Sequence, residues 1–205
     1  MKKARIVILI AVLAALLTGC AKANAVEAVE LTANEELLVF ALSDQTAVFE
    51  YRLDGETYNW LSLWAQRYEY GELKETIDLH PACGVIKGGN IVLSVFREVE
   101  DVSPEMYNVF ILQDGAISSQ FNALPDIADI TAQGRAIQTS QLVEIPESGD
   151  VVLTVIHTPG EDGVCPLSES FLTDYESHID EISAYGSAYI VGCTFSIELP
   201  EELLD

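Results

Sequence analysis

Residues 58–79 read YNWLSLWAQRYEYGELKETIDL, and two secondary structures compete for their first half. Leu61, Trp64, Ala65 and Tyr68 fit the i, i+3, i+4, i+7 spacing of an amphipathic helix. Alternation fits as well: Tyr58, Trp60, Trp64, Tyr68 and Tyr70 share one pleat face, with Leu61, Leu63 and Ala65 on the other. The tie is broken downstream, because Tyr70-Gly71 is a turn pair and Leu73, Ile77 and Leu79 resume a period of two beyond it. Two strands joined at Gly71 follow, and the chain reads as β from there outward.

Toward the N-terminus, Thr46 to Leu53 alternates with Ala47, Phe49, Tyr51 and Leu53 on one side, breached only by Val48. It ends at Asp54-Gly55, a pair that suits a tight hairpin. Leu37 to Leu42 is a continuous apolar run, predicted as a strand covered on both faces. Toward the C-terminus, Val85 to Lys87 meets a predicted turn at Gly88-Gly89-Asn90, and Ile91, Leu93 and Val95 alternate after it. Tyr107 to Gln113 and Ala116 to Phe121 flank Asp114-Gly115. Residues 122–134 read as a loop. Arg135 to Ile145 and Val151 to His157 flank Pro146-Glu147-Ser148-Gly149, and residues 158–170 form a Pro- and Gly-containing loop.

Thr173 and Glu176 have the spacing of a capping box, which predicts one short helix near 174–184 with Tyr175, Ile179 and Ile182 on one face. Ala188 to Glu198 closes as a strand with Tyr189, Val191, Cys193, Phe195 and Ile197 on one side. Many short strands, turns at hairpin spacing and one helix predict an all-β fold. The expected form is an antiparallel β-sandwich, immunoglobulin-like or similar, with a β-barrel as the alternative. A doubly wound nucleotide fold lacks its alternating β and α units here.

The chain begins with Lys2, Lys3 and Arg5, continues through twelve apolar residues from Ile6 to Leu17, and then reaches small residues and a cysteine. This is the layout of a secretory signal. As a helix the apolar run rises about 18 Å, short of the roughly 30 Å hydrocarbon core. Leu17-Thr18-Gly19-Cys20 resembles the lipobox of bacterial prolipoproteins at all four positions. The resemblance covers residues 1–20. It implies that Cys20 is alkylated with a diacylglyceryl group and becomes the first residue after residues 1–19 are removed as a lipoprotein signal peptide. Two acyl chains make a stable anchor where one is marginal. The expected organisation is then a lipidated N-terminus and tether over 20–36, a sandwich domain over 37–198 and an acidic tail over 199–205. The expected place is the extracytoplasmic face of a bacterial cell membrane.

Charge narrows the partners. The 205 residues carry 33 acids and 10 bases, net −23. Removing 1–19 takes three bases, so the processed chain stands at 7 − 33 = −26. Such a surface repels phosphate backbones, which argues against nucleic acid. Cations or a basic protein face suit it better.

Several residues are candidate chemistry. Trp60, Trp64 and Tyr68 are the candidate ligand-binding residues: if exposed, their face stacks on sugars or other flat ligands, and if covered, the same rings are core. Cys83 and Cys165 both sit beside turn residues in a chain expected to be exported, and are read as a disulfide with Cys193 left as a core thiol. Three unpaired thiols are the alternative. His80 and Cys83 have the offset of a metal pair that His157, Cys165 or His178 could complete, but no second close pair exists and no metal is assigned. The loop acids Asp126, Asp129, Asp150, Glu161 and Asp162 allow weak calcium binding without an EF-hand pattern. No nucleophile elbow, phosphate loop, zincin helix or dinucleotide glycine pattern is present, and no cofactor is expected. The expectation is a non-enzymatic, lipid-anchored surface protein that binds an unknown protein or glycan. The alternatives are a glycan- or solute-binding module with an exposed aromatic strip, and an enzyme of unrecognised type.

Overall fold

The computed structural model describes residues 24–43, 45–55, 57–96, 106–123, 136–158 and 166–200. In chain order the elements are β1 (Ala25–Ala28), α1 (Ala33–Leu42), β2 (Gln45–Arg52), β3 (Trp60–Glu69), β4 (Glu72–Gly84), β5 (Gly88–Phe96), β6 (Met106–Gln113) and β7 (Ala116–Ala123). There follow β8 (Ala136–Thr139), β9 (Leu142–Glu144), β10 (Asp150–His157), α2 (Glu169–Thr173), a 3-10 helix (Glu176–Ala184) and β11 (Ala188–Ser196). A six-stranded sheet has the order β7-β6-β5-β2-β1-β9, and a five-stranded sheet has the order β4-β3-β11-β10-β8. Every pairing is antiparallel. The fold is therefore an all-β sandwich of two sheets, and the sheets do not close into a barrel. These orders are its own; a constant-type immunoglobulin domain has four strands on three.

Alternation along β3 and β11 builds the core. Leu61, Leu63 and Ala65 face inward with Tyr189, Val191, Cys193 and Phe195, against Phe49, Tyr51, Ile91, Leu93, Val109 and Ile111 of the six-stranded sheet. Tyr51 and Phe195 meet edge to face across the layers, centroids 5.5 Å apart. Each such side chain contributes roughly 1.5–3 kcal/mol by leaving water. In β10 the register shifts between Val152 and Thr154, so Leu153 and Ile156 enter the central core while Val152 and Val155 face out. The outward side chains are covered by Leu167, Phe171, Leu172, Ile182 and Tyr185, which form a second core with Tyr68 and Ile190.

The two edges of the sandwich are sewn differently. On one side the run predicted as a single strand over 135–145 breaks into β8 and β9, which belong to different sheets. At the crossing, Ser140 donates its amide to Leu153 O and its hydroxyl to Val152 O, and Ala28 N bonds Gln141 O. On the other side β4 meets β7. There His80 Nε2 lies 2.8 Å from Ser118 Oγ, Gln113 Nε2 donates to Gly84 O at 3.1 Å, and Ile86 N donates to Gln113 Oε1 at 3.1 Å.

Several expectations are corrected. Leu37 to Leu42 is helix, because Thr32 and Glu35 close a capping box in which Thr32 Oγ1 accepts from Glu35 N and Glu35 Oε2 accepts from Thr32 N. The run is not covered on both faces either, since Leu37 is 68% exposed. Residues 25–36 are not a tether: β1 pairs with both β2 and β9. Asp54-Gly55 does not close a hairpin, because β2 and β3 lie in opposite sheets and the chain crosses the sandwich there. Gly88 and Gly89 are strand rather than turn; a side chain on Gly89 would meet the Tyr51 hydroxyl at 2.7 Å, so the core ring takes that space. The hairpin at Asp114-Gly115 forms as expected, with φ +47° and +77°. Thr173 and Glu176 form no capping box. The helix predicted near 174–184 is present as the 3-10 helix, and α2, capped by Ser168, precedes it in a stretch partly read as loop. Ile197 lies beyond β11 and is exposed. Residues 124–135 and 159–165, with Asp126, Asp129, Glu161, Asp162 and Cys165, lie outside the described residues.

Candidate functional site

Trp64 and Tyr68 lie on the outer face of the five-stranded sheet, opposite Leu61, Leu63 and Ala65. Of the two alternatives for this face, the covered one describes Tyr68 and Trp64: Tyr68 belongs to the second core and Trp64 packs against it. The rings are not the central core, and they are not an open platform, because α2 and the 3-10 helix are packed over them. Tyr68 is buried, and its hydroxyl donates to Gln66 Oε1 at 2.9 Å. Burial pushes its phenol up to about 12, helped by Tyr175 and the Glu176 carboxylate. Trp64 is half-buried with its ring centroid 6.2 Å from that of Tyr175. Trp60, also half-buried, begins the strand, Tyr58 turns inward onto Phe195, and Tyr70 is exposed at the turn. Gly192 stands opposite Trp64, and a Cβ there would lie 2.4 Å from the indole, so the ring rests on bare backbone.

From Trp64 a hydrogen-bond relay runs to the margin of this cover. The indole Nε1 donates to Thr194 Oγ1 at 3.0 Å, and Thr194 donates to Asp150 Oδ1 at 2.5 Å. Asp150 lines a cleft of about 460 Å³ between β9, the start of β10 and residues 172–176. Glu144, Asp174 and Glu176 line it too, and among the described residues no Lys, Arg or His does; Leu142, Val143, Pro146, Val152, Leu172 and Tyr175 supply apolar wall. The size suits a small molecule. Chemically, carboxylates on an apolar wall favour a cation that carries hydrocarbon, and the Tyr175 ring adds a face that attracts positive charge. Sequence reading named Asp150 only as a loop acid. The site is assembled from segments tens of residues apart, so no local spacing marks it.

The cover has its own electrostatics. Ser168 donates hydroxyl and amide to the Glu181 carboxylate at 2.6 and 2.8 Å, and these bonds hold its pKa below the usual range. His157 is buried beneath Tyr185, ring centroids 3.9 Å apart, and Nδ1 bonds Thr158 O at 2.9 Å. Burial depresses its pKa.

The remaining candidates do not converge. His80 is buried, with Nδ1 on Pro81 O at 2.7 Å and Nε2 on Ser118. A carbonyl only accepts, so Nδ1 carries the hydrogen. Both ring nitrogens thus serve the β4–β7 seam rather than a metal. Cys83 is a free thiol close to Gln113 Nε2, and its expected partner Cys165 is outside the described residues. Cys193 is a free, fully buried thiol. His178 faces Glu181 at 3.3 Å. Among the described residues no three His, Cys, Asp or Glu side chains form a group that could hold a metal, and no helix is long and apolar enough to cross a membrane.

Fold and site together define a two-sheet β-sandwich domain with a helical cover on one outer face and an acidic cleft at the cover's margin. The chain belongs to the YgaN domain family, whose model matches residues 25–195. That span begins at β1 and ends in β11. None of the curated proteins and none of the solved structures compared with the chain matches it.

Proposed function

We propose that this is a lipid-anchored, non-enzymatic binding protein on the extracytoplasmic face of a bacterial membrane, with Cys20 as the lipidated residue and the acidic cleft as its ligand site. The cleft carries the reading. Four carboxylates and an apolar wall enclose a small-molecule volume, and among the described residues its lining holds no histidine to act as a base beside them. Such a lining recognises an organic cation: the hydrocarbon part leaves water against Leu142, Val152 and Leu172, and the charge is met by the carboxylates. The lipid confines the domain near the membrane, which raises its effective concentration for ligands and partners there. The aromatic-strip alternative is weakened by the cover over Trp64 and Tyr68.

Calorimetry with spermidine, choline and arginine beside neutral isosteres tests the site. A cation is expected to bind saturably, and the Asp174→Asn, Glu176→Gln double variant to weaken it about tenfold or more, as the loss of charge-assisted contacts predicts. Equal binding of neutral isosteres, or an unchanged affinity in the double variant, refutes the site. Anchoring is read separately, from the mass of Cys20 in protein extracted from cells.

A further inference from the structure

The two outer faces of the sandwich differ. One is sealed by α2 and the 3-10 helix. On the other, register aligns Glu50, Asn90, Leu112 and Ile117 in one row and Val48, Val92, Phe110 and Ser119 in the next, and Phe121 stands in a third row beside Asn108. Ile117 is 66% exposed and Phe121 60%. The charges of this face are partly cancelled, because Arg52 bonds both Glu27, at 3.1 Å, and Glu50, at 2.7 Å. Toward α1 this face is closed: Ser94 and Asn108 are buried, and Ser43, which follows α1, bonds Thr46, which bonds Ser94. What stays open is the apolar β7 edge that carries Ile117 and Phe121, in a chain of net charge −23.

We infer that the exposed β7 side of this face of the six-stranded sheet lies on the lipid bilayer, with Ile117 and Phe121 seated among the headgroups. The inference rests on the lipid-anchor reading of Cys20. What selects the bilayer over another occupant is where the anchor joins the fold. Cys20 to Asn24 is 24 − 20 = 4 residue steps, at most about 14 Å even when fully extended. The next residue, Ala25, already pairs with Arg52 and Glu144 inside this same sheet. A diacylated residue on so short a lead holds the sheet at the membrane surface. Turning the apolar face toward the lipid removes Ile117 and Phe121 from water and leaves the helical cover of the five-stranded sheet facing away.

The test uses the full chain made in a bacterium that processes lipoproteins. Its intact mass first shows whether Cys20 carries the diacylglyceryl group; an unmodified Cys20 fails the anchor reading itself. The lipidated protein, labelled at isoleucine methyls, is then placed in phosphatidylcholine nanodiscs doped with a gadolinium-chelate lipid. The Ile117 signal is expected to lose more than half its intensity, while Ile179 in the cover is spared. Stronger broadening at Ile86 and Ile197 than at Ile117 means that the domain stands on its end, and overturns the inference. So does equal broadening at Ile117 and Ile179. Burial of Ile117 in lipid-free solution with a sedimenting dimer assigns the face to a second copy, and also overturns it.

Discussion

At the residue scale the outer aromatic face is decided by one missing side chain. Trp64 lies on Gly192, whose Cβ position is 2.4 Å from the indole and 2.7 Å from Val151 O. A methyl there has to displace either the ring or backbone. Gly192→Ala is therefore expected to cost about 1–3 kcal/mol, the range for overpacking. Urea unfolding followed by tryptophan emission measures this, and a midpoint equal to wild type contradicts the contact. Trp64 was legible as an alternation-matched aromatic. Its partner was not, because nothing local to Trp64 says which residue of which strand will lie beneath it.

At the element scale the cover over the five-stranded sheet is short and its stability is tied to pH. His157 lies beneath Tyr185 with its pKa depressed by burial, while in the unfolded chain it titrates near 6.5. Below that pH the unfolded state takes up a proton that the folded state refuses. Stability is thus complete above about pH 6.5 and declines as pH falls below it. The melting temperature is expected to hold level from pH 8 to 7 and to drop toward pH 5. In proton NMR the His157 ring should stay neutral through the midpoint at which an unperturbed histidine titrates. A His157 midpoint at or above 6.5 would falsify the buried-neutral assignment. The helical face of Tyr175, Ile179 and Ile182 was readable from its spacing, and it does pack on the second core. The element type was not readable there, since Thr173 donates to Ser170 O within α2 and leaves no box for Glu176. The reverse happened at α1, where Thr32 and Glu35 carried the helix signal and the apolar run after them suggested a strand.

For the whole molecule, charge and topology set the behaviour. Thirty-three acids against ten bases make the folded state self-repulsive, and the cleft gathers four of those acids in its lining. Raising sodium chloride from 10 to 200 mM is expected to raise the melting temperature by a few degrees, because the screening length falls from about 30 Å to below 10 Å. A melting temperature that falls with salt shows instead that specific ion pairs dominate. The sequence alone determined part of the interior: Phe49, Tyr51, Val191 and Phe195 were readable from alternation, as were the turns at Gly71 and Gly115, because pleat and turn geometry act over neighbouring residues. Leu61 and Leu63 were not, because both faces of residues 58–70 are apolar and alternation alone does not say which one is covered. It also carried the charge and the lipobox resemblance. Only the tertiary structure decided that β2 and β3 part into opposite sheets, that β1 folds into the sheet next to the expected anchor, that the aromatic face is covered, and that Glu144, Asp150, Asp174 and Glu176 share one cleft. Those outcomes depend on contacts between segments far apart in the chain, whose energies have no counterpart in any local pattern.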